Sequence, residues 1–252
     1  MIIVHGLYGS SDNWFSIGKK LSENFEVFLI DQRNHGQSPH DDRHNYELMK
    51  GDLLEFMDGQ GIDKAIMIGH SMGGKTVMHL AINHPERVHS LIVIDIAPKS
   101  YMELANASVQ TADHKHIMTA MLNVDFSMVK SRKDVDKMMS DTIRPARVRG
   151  FLLKNLQRNT DHSYSWQINV GTLIRELPSM MEEIGTDHQG ITGFPVLFIR
   201  GKNSDYILDE DIPGIKKLFP FADLVTISGA GHWLHVEKPD LLVKNLKYFL
   251  LG

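Results

Sequence analysis

The 252-residue chain contains no cysteine. Disulfide bonds, zinc sites with cysteine ligands and a thiol nucleophile are therefore excluded. The formal net charge is −4 and no long basic run occurs, which argues against nucleic acid as a partner. No apolar run approaches the length of a membrane span, and the four apolar residues at the start are far fewer than a signal peptide needs. We therefore expect a cytoplasmic protein that acts on a small molecule and has no membrane partner.

What the chain does contain is a series of short apolar runs that alternate with amphipathic stretches. Such runs are typical of strands in a parallel sheet that is covered on both faces by helices. Helices are predicted over Tyr46–Met57, Gly73–Asn83 and Pro239–Leu251. Strands are predicted over Met1–Val4, Phe25–Ile30, Ala65–Ile68, Leu91–Ile94, Val196–Ile199 and Leu224–Ile227. The pattern predicts the α/β class.

The alternation breaks between Ala97 and about Thr192, where Met, Lys, Arg and Asp residues occur in helical patterns. No convincing strand of a sheet is visible there, although Ser163–Val170 looks extended and could cross this region. We therefore predict a core formed by residues 1–96 and 193–252. Residues 97–192 are predicted to form a helical cap inserted after the Leu91–Ile94 strand.

A serine stands between glycines where one predicted strand meets a helix. The run Gly69-His70-Ser71-Met72-Gly73-Gly74 fits G-x-S-x-G, the pattern of a sharp turn that exposes a serine hydroxyl. Small neighbours are needed because the strand and helix backbones pass close together. The purely structural alternative is a tight turn that happens to contain a serine. The strand before it and the helix after it favour Ser71 as a nucleophile.

A serine nucleophile needs a base, and the expected place is the loop after the last strand. That loop contains His232 after Gly229-Ala230-Gly231, and we predict that His232 is the base. His235 is the nearby rival, but it falls toward the final helix. His70 adjoins Ser71, yet such a turn points its side chain elsewhere.

Two backbone N–H groups are expected to stabilise the oxyanion. One belongs to Met72, the residue after the nucleophile, and the other to Leu7 in the loop after the first strand. Gly6 would let that loop approach the substrate closely; the less favoured alternative is a glycine that serves only the turn. Leu7, Tyr8, Met72 and Trp233 are predicted to line the floor of the substrate pocket.

Five motifs occur in the order found in α/β-hydrolases: HGLYGS, DQRNHGQS, IGHSMGGK, IDIAP and GAGHWLHVEKP. Together they resemble small bacterial serine esterases of the YbfF type, with the mitochondrial α/β-hydrolase domain-containing protein 11 as a relative. The resemblance covers nearly the whole chain and is weakest from Met102 to about Arg147. It implies a serine esterase of broad specificity that acts on acyl esters, with acyl-CoA thioesters as a further candidate class of substrate. We expect no cofactor and no metal. Phe151 and Trp166 in the cap would help to select the acyl chain.

The acid that orients the base has two candidates. Most α/β-hydrolases carry it in the loop after the penultimate strand, where this chain has Ser204 at the expected position and Asp205 one residue later. Asp95 ends the strand after the nucleophile helix and faces the same crevice. The YbfF-type pattern also has its acid in IDIAP and a serine in the later loop. We therefore prefer Asp95 to Asp205, with Ser204 bonded near the His232–Asp95 pair.

Family members usually have two antiparallel strands before the strand that leads to the HG pair, and these strands are apparently absent here. The Phe25–Ile30 strand would then lie at the sheet edge, where an apolar edge invites pairing with another chain. Either the chain is shortened or a partner, such as a second copy in a dimer, covers the edge. The same residues could also serve C–C bond hydrolysis, a lyase reaction or non-catalytic binding of a small molecule.

Overall fold

A parallel sheet of six strands is the framework of the fold. The structure is a computed structural model that describes residues 1–102 and 109–252, so that residues 103–108 of the predicted cap lie outside the described residues. The strands are β1 (Ile2–Val4), β2 (Phe28–Ile30), β3 (Ala65–His70), β4 (Val88–Ile94), β5 (Leu156–Arg158), β6 (Tyr164–Trp166), β7 (Val196–Gly201) and β8 (Asp223–Ile227).

Helices connect these strands, as parallel pairing requires. They are α1 (Phe15–Leu21), α2 (Tyr46–Gly59), α3 (Met72–Asn83), α4 (Val109–Leu122), α5 (Arg132–Ser140), α6 (Ala146–Leu152), α7 (Val170–Met181), α8 (Ile212–Leu218), α9 (Leu234–Glu237) and α10 (Pro239–Leu251). The predicted helix-covered parallel sheet is confirmed. None of the helices described here is long and apolar enough to cross a bilayer.

The sheet order β2-β1-β3-β4-β7-β8 determines which loops meet. Register pairs His70 at the end of β3 with Ile94 on β4, and Ile94 with Ile199 on β7. The carboxyl ends of these three neighbouring strands therefore lie side by side. In open α/β sheets this edge is where ligands bind.

The central strands read as continuous apolar runs because both of their faces are buried. In β4 the five residues from Ser90 to Ile94 are all buried, and β3 and β7 are nearly as enclosed. One packed cluster joins the sheet to α1 and α10, with Trp14 among its members. This core supplies the rigid base on which the strand-end loops are fixed.

Strand ends differ from the sequence prediction at the sheet edge. The predicted Phe25–Ile30 strand is shorter, since only Phe28–Ile30 pairs, with Ile2–Val4. β1 is itself three residues long, so it offers no partner to the residues before Phe28. β2 does lie at one edge of the sheet, as predicted.

The chain divides into two units. The first contains Met1–Gln32, Tyr46–Lys99 and Glu183–Gly252, and the second contains Arg33–Asn45 and Ser100–Glu182. The second therefore takes in a segment from the DQRNHGQS motif that the sequence analysis assigned to the core.

Hydrogen bonds explain this division. Asn169 donates its backbone N–H to the carbonyl of Asn34 at 3.0 Å, and its side-chain amide to the Asn34 side chain at 3.0 Å. His40 bonds to the carbonyl of Gln167 at 2.9 Å. Residues 183–192, by contrast, belong to the first unit, where Ile191 donates to Leu218 at 2.8 Å.

The second unit contains a two-stranded sheet of its own. β5 and β6 form an antiparallel hairpin; β6 lies within Ser163–Val170, the segment that looked extended in the sequence, whereas β5 was not predicted. Arg147–Gln157 has a helical pattern in the sequence, but α6 stops at Leu152, and the Asn155 amide bonds back to the Leu152 carbonyl at 3.2 Å. Such side-chain bonds to nearby backbone compete with helix continuation.

Candidate active site

Ser71 occupies a strained turn between β3 and α3. Its φ of 52° and ψ of −122° lie in a region that non-glycine residues rarely adopt. The turn is tight, since a Cβ on Gly69 would overlap the carbonyl of Gly73. The Ser71 N–H is held by the carbonyl of Ile94 at 3.0 Å. Strained residues of this kind are typical of functional sites, and this turn has the form expected of a nucleophile elbow.

The imidazole of His232 lies between Ser71 and Asp95. Its Nε2 is 3.0 Å from Oγ of Ser71, and its Nδ1 is 2.8 Å from Oδ2 of Asp95. The Asp95 side chain is fully buried, whereas the His232 side chain is 22% exposed. Nδ1 donates to the carboxylate, which leaves Nε2 free of its proton and able to accept the serine proton.

Asp95 directly follows β4 and is surrounded by donors. Its Oδ1 accepts the N–H of Gly201 at 2.9 Å, and its Oδ2 accepts the hydroxyl of Ser204 in addition to the imidazole. Its own N–H donates to the carbonyl of Ile199 on the neighbouring strand at 2.8 Å. These bonds offset the cost of burying a carboxylate. Asp205, the alternative acid, is exposed.

The two rival histidines have other contacts. His235 lies buried in α9, with its ring stacked on Trp14 at a centroid distance of 4.7 Å. His70 is also buried, and its Nε2–H donates to the carbonyl of His232 at 2.8 Å. Burial, followed by the neighbouring charge of His232, lowers the pKa of His70 well below its ordinary value. His70 therefore supports the loop that carries His232 while remaining neutral.

Gly6, which precedes the predicted oxyanion donor Leu7, lies against Ser71. A Cβ on Gly6 would be 3.0 Å from Cβ of Ser71, so that only a glycine backbone passes this close. Leu7 follows Gly6, and Met72 is the first residue of α3, where the N–H groups of a helix lack intrahelical partners. The positive end of the helix dipole adds to the attraction for developing negative charge.

The predicted pocket residues fall in both units. Tyr8 is buried in the first loop with a φ of 62°, and burial raises the pKa of its phenol well above the ordinary range. Trp233 is half-buried and precedes α9. Phe151 lies in α6 and Trp166 in β6, both in the second unit, where the Trp166 indole N–H donates to the Met121 carbonyl at 2.8 Å. The role of these four side chains in substrate binding stays a prediction.

Sequence reasoning missed two neighbours of the site. The ring of Tyr206 stacks on the imidazole of His232 at a centroid distance of 3.7 Å. Gln32 bonds to His5 in the first loop and to Thr76 of α3. A single aromatic in a loop carries no periodic signal. Gln32 lies in the DQRNHGQS motif that follows β2, but the sequence analysis assigned no role to its side chain.

The described residues offer no group of three or more histidine and acidic side chains that could hold a metal ion. What they offer is a serine hydroxyl in line with an imidazole and a buried carboxylate. This is the arrangement that many hydrolases use for acyl transfer through a serine nucleophile. This arrangement lies at the carboxyl ends of the strands of a parallel sheet, and the two features together define the class of protein.

The chain belongs to the α/β-hydrolase fold family, whose pattern matches residues 1–239. It is 35% identical to the esterase YbfF of Escherichia coli, an alignment that covers 99% of this chain and 92% of the relative. It is 37% identical to the sn-1-specific diacylglycerol lipase ABHD11 of Xenopus laevis, covering 94% of this chain and 75% of the relative.

A solved structure described as a marine microorganism esterase has the same fold. It is 46% identical, with a TM-score of 0.93 and coverage of 99% of this chain and 94% of that chain. These similarities confirm the resemblance inferred from the motifs. They also agree with the prediction of a carboxylic-ester hydrolase.

Proposed function

We propose that this protein is a serine esterase that hydrolyses acyl esters through an acyl-enzyme on Ser71. The observation that carries the proposal is the aligned contact series from Ser71 Oγ through His232 to Asp95, with distances of 3.0 and 2.8 Å. A hydroxyl is a weak nucleophile near neutral pH and needs such a base. The names of the similar proteins, an esterase and a diacylglycerol lipase, support an ester as the substrate.

In the first half-reaction, Ser71 Oγ attacks the acyl carbonyl carbon while Nε2 of His232 takes the hydroxyl proton. The carbonyl oxygen becomes an oxyanion, stabilised by the N–H groups of Leu7 and Met72. Collapse of this intermediate breaks the bond to the alcohol, which leaves with the proton from His232. The buried Asp95 carboxylate stabilises the imidazolium during both transfers.

In the second half-reaction, water attacks the acyl-enzyme and gives its proton to His232. The same two N–H groups donate hydrogen bonds to the second oxyanion. Collapse of this intermediate breaks the bond between Ser71 Oγ and the acyl carbon, His232 returns its proton to Oγ, and the carboxylic acid leaves. Because a thioester reacts through the same intermediates, an acyl-CoA is a further candidate substrate, and substrate panels would separate the two.

A fluorophosphonate probe tests the proposal, because it labels only a serine that is activated as a nucleophile. We expect stoichiometric labelling at Ser71, identified by peptide mass spectrometry, together with hydrolysis of p-nitrophenyl acyl esters. Ser71→Ala should abolish labelling and reduce kcat by at least about 10⁴-fold, since loss of the nucleophile removes the covalent route. Circular dichroism would establish that the variant is folded.

The alternatives give different outcomes. A protein that binds small molecules without turnover would leave Ser71 unlabelled in the folded state. A C–C hydrolase or a lyase would be labelled but would leave the ester and acyl-CoA panels unhydrolysed. Either result would contradict the proposal.

A further inference from the structure

His5, which directly follows β1, is held in one tautomer. It is buried, and its Nδ1 lies 2.8 Å from the carbonyl oxygen of Gly6. A carbonyl only accepts, so Nδ1 carries the proton. The backbone N–H of Gln32 donates to Nε2 at 3.1 Å, which requires Nε2 to be unprotonated. Burial also lowers the pKa of His5, which favours this neutral form.

The bond from His5 to Gly6 also orients Leu7. The carbonyl of Gly6 and the N–H of Leu7 belong to the same peptide group, which is planar. Peptide bonds among the described residues are trans, so the C=O and N–H of this peptide point in opposite directions. The carbonyl is anchored twice, by Nδ1 of His5 and by the N–H of Gly9 at 3.0 Å. Rotation of this peptide would break both bonds.

The Gln32 side chain connects this loop to the helix after the nucleophile. Its amide nitrogen donates to the His5 carbonyl at 2.7 Å, and its amide oxygen accepts the Thr76 hydroxyl at 2.9 Å. Gln32 and Thr76 are both buried. α3 begins at Met72 and carries Thr76, so one amide links the elements that hold the two proposed oxyanion donors.

We propose that His5 is a positioning residue, fixed by Gln32, that sets the direction of the Leu7 N–H toward the oxyanion. This inference rests on the proposed esterase function, in which Leu7 supplies one of the two donors. His5 acts through the peptide and does not touch the substrate. An oxyanion donor is effective because it is oriented before the reaction begins, which is what the double anchor on Gly6 provides.

Two variants at the same position separate this role from general packing. His5→Asn keeps an amide nitrogen near the place of Nδ1, whereas His5→Gln moves the amide nitrogen toward the place of Nε2. We expect His5→Gln to lower kcat by about 100-fold, the usual size of a lost oxyanion donor, with KM within about 3-fold. His5→Asn should retain kcat within about 10-fold of the wild type, given that it keeps the donor.

An alkyl boronic acid, which forms a tetrahedral adduct with an active serine, provides a readout that a structural role would not move. Its inhibition constant should rise by the same factor as kcat falls in each variant. Val243→Ala in α10 is the control for lost stability, because Val243 packs in the core cluster. It should lower the melting temperature but leave kcat and the inhibition constant unchanged.

Equal kcat in the two His5 variants, or a fall in kcat without weaker boronate binding, would overturn the inference. If His5→Gln does not fold, Gln32→Met provides the test instead. A fall in kcat of about 10-fold, with boronate binding weakened by the same factor, would support the inference. An unchanged kcat would refute it. Failure of the esterase proposal is distinguishable, since the wild-type protein itself would then show neither labelling at Ser71 nor ester hydrolysis.

Discussion

The phenol ring of Tyr206 lies flat on the imidazole of His232, with ring centroids 3.7 Å apart and planes 14° apart. His232 is thus held in three ways: by this stacking, by Asp95 at Nδ1, and by His70 at its backbone carbonyl. In the proposed mechanism His232 must reach Ser71 with one ring nitrogen, so restricted rotation of the ring favours the reactive geometry. Tyr206 is in turn fixed by its N–H, which donates to Ser204 Oγ at 3.3 Å.

Removing the ring should therefore slow the reaction. Tyr206→Leu is expected to lower kcat by about 2- to 10-fold, because a stacked aromatic pair contributes about 0.5–1.5 kcal/mol beyond burial. Tyr206→Phe keeps the stacked ring and should retain most of the activity. Steady-state kinetics on one p-nitrophenyl ester would measure both. A larger loss in the Phe variant than in the Leu variant would show that the hydroxyl, and not stacking, is what matters.

Asp95 should matter far more than Asp205. Asp95→Asn leaves the imidazolium without its buried counter-charge and favours the wrong tautomer of His232, so kcat should fall by about 10⁴-fold. The comparison is kcat at saturating ester for the two folded variants.

Asp205→Asn is the matched control. Its side chain is exposed and lies one residue from Ser204, which bonds to Asp95. We expect less than about a 3-fold change in kcat, as is usual for a surface substitution. The reverse ranking of the two variants would return the role of the acid to Asp205.

Much of the framework followed from the sequence because it depends on local pattern. Continuous apolar runs predicted the strands of the main sheet, and glycines around Ser71 predicted the turn that the structure contains. Parallel strands end at a common edge, so Asp95 and the His232 loop could be expected near Ser71 from the order of the strands alone.

The parts that sequence reasoning missed depend on contacts between distant residues. Strand β5 has only three residues, too few for a two-residue period to be read. The transfer of residues 33–45 to the second unit depends on bonds between Asn34 and Asn169, 135 positions apart. The stacking of Tyr206 on His232 depends on how two loops meet, and neither loop signals it alone.

Buried neutral histidines should make stability depend on pH. Burial lowers the pKa of His70 well below its ordinary 6.5, and burial lowers that of His5 as well. Below about pH 6.5 the unfolded chain is protonated at these histidines, whereas the folded chain is not. The free energy of unfolding is therefore highest above about pH 6.5 and falls as the pH drops below it. His70 should lower the free energy of unfolding by about 1.4 kcal/mol between pH 7.5 and 5.5, and His5 should act in the same direction.

Urea unfolding at these two pH values measures the effect, and His70→Gln provides the comparison. Gln places an amide nitrogen near the position of Nε2, so the bond to the His232 carbonyl is kept while the titrating group is removed. Between pH 7.5 and 5.5, the free energy of unfolding of the variant should fall by about 1.4 kcal/mol less than that of the wild type. Equal losses in the two proteins would mean that His70 is not a source of the pH dependence.

Gly73 and Gly51 should respond oppositely to alanine. A Cβ on Gly73 in α3 would overlap the carbonyl groups of Val4 and His5, which are backbone and cannot rotate away. We expect Gly73→Ala to destabilise by about 1–3 kcal/mol and to lower kcat, because the first loop and the helix must separate. A Cβ on Gly51 in α2 would meet no heavy atom within 4 Å, so Gly51→Ala should stabilise by about 0.5–1 kcal/mol and leave kcat unchanged. Chemical denaturation of both variants tests this, and a stable, fully active Gly73→Ala would contradict the tight contact between β1 and α3.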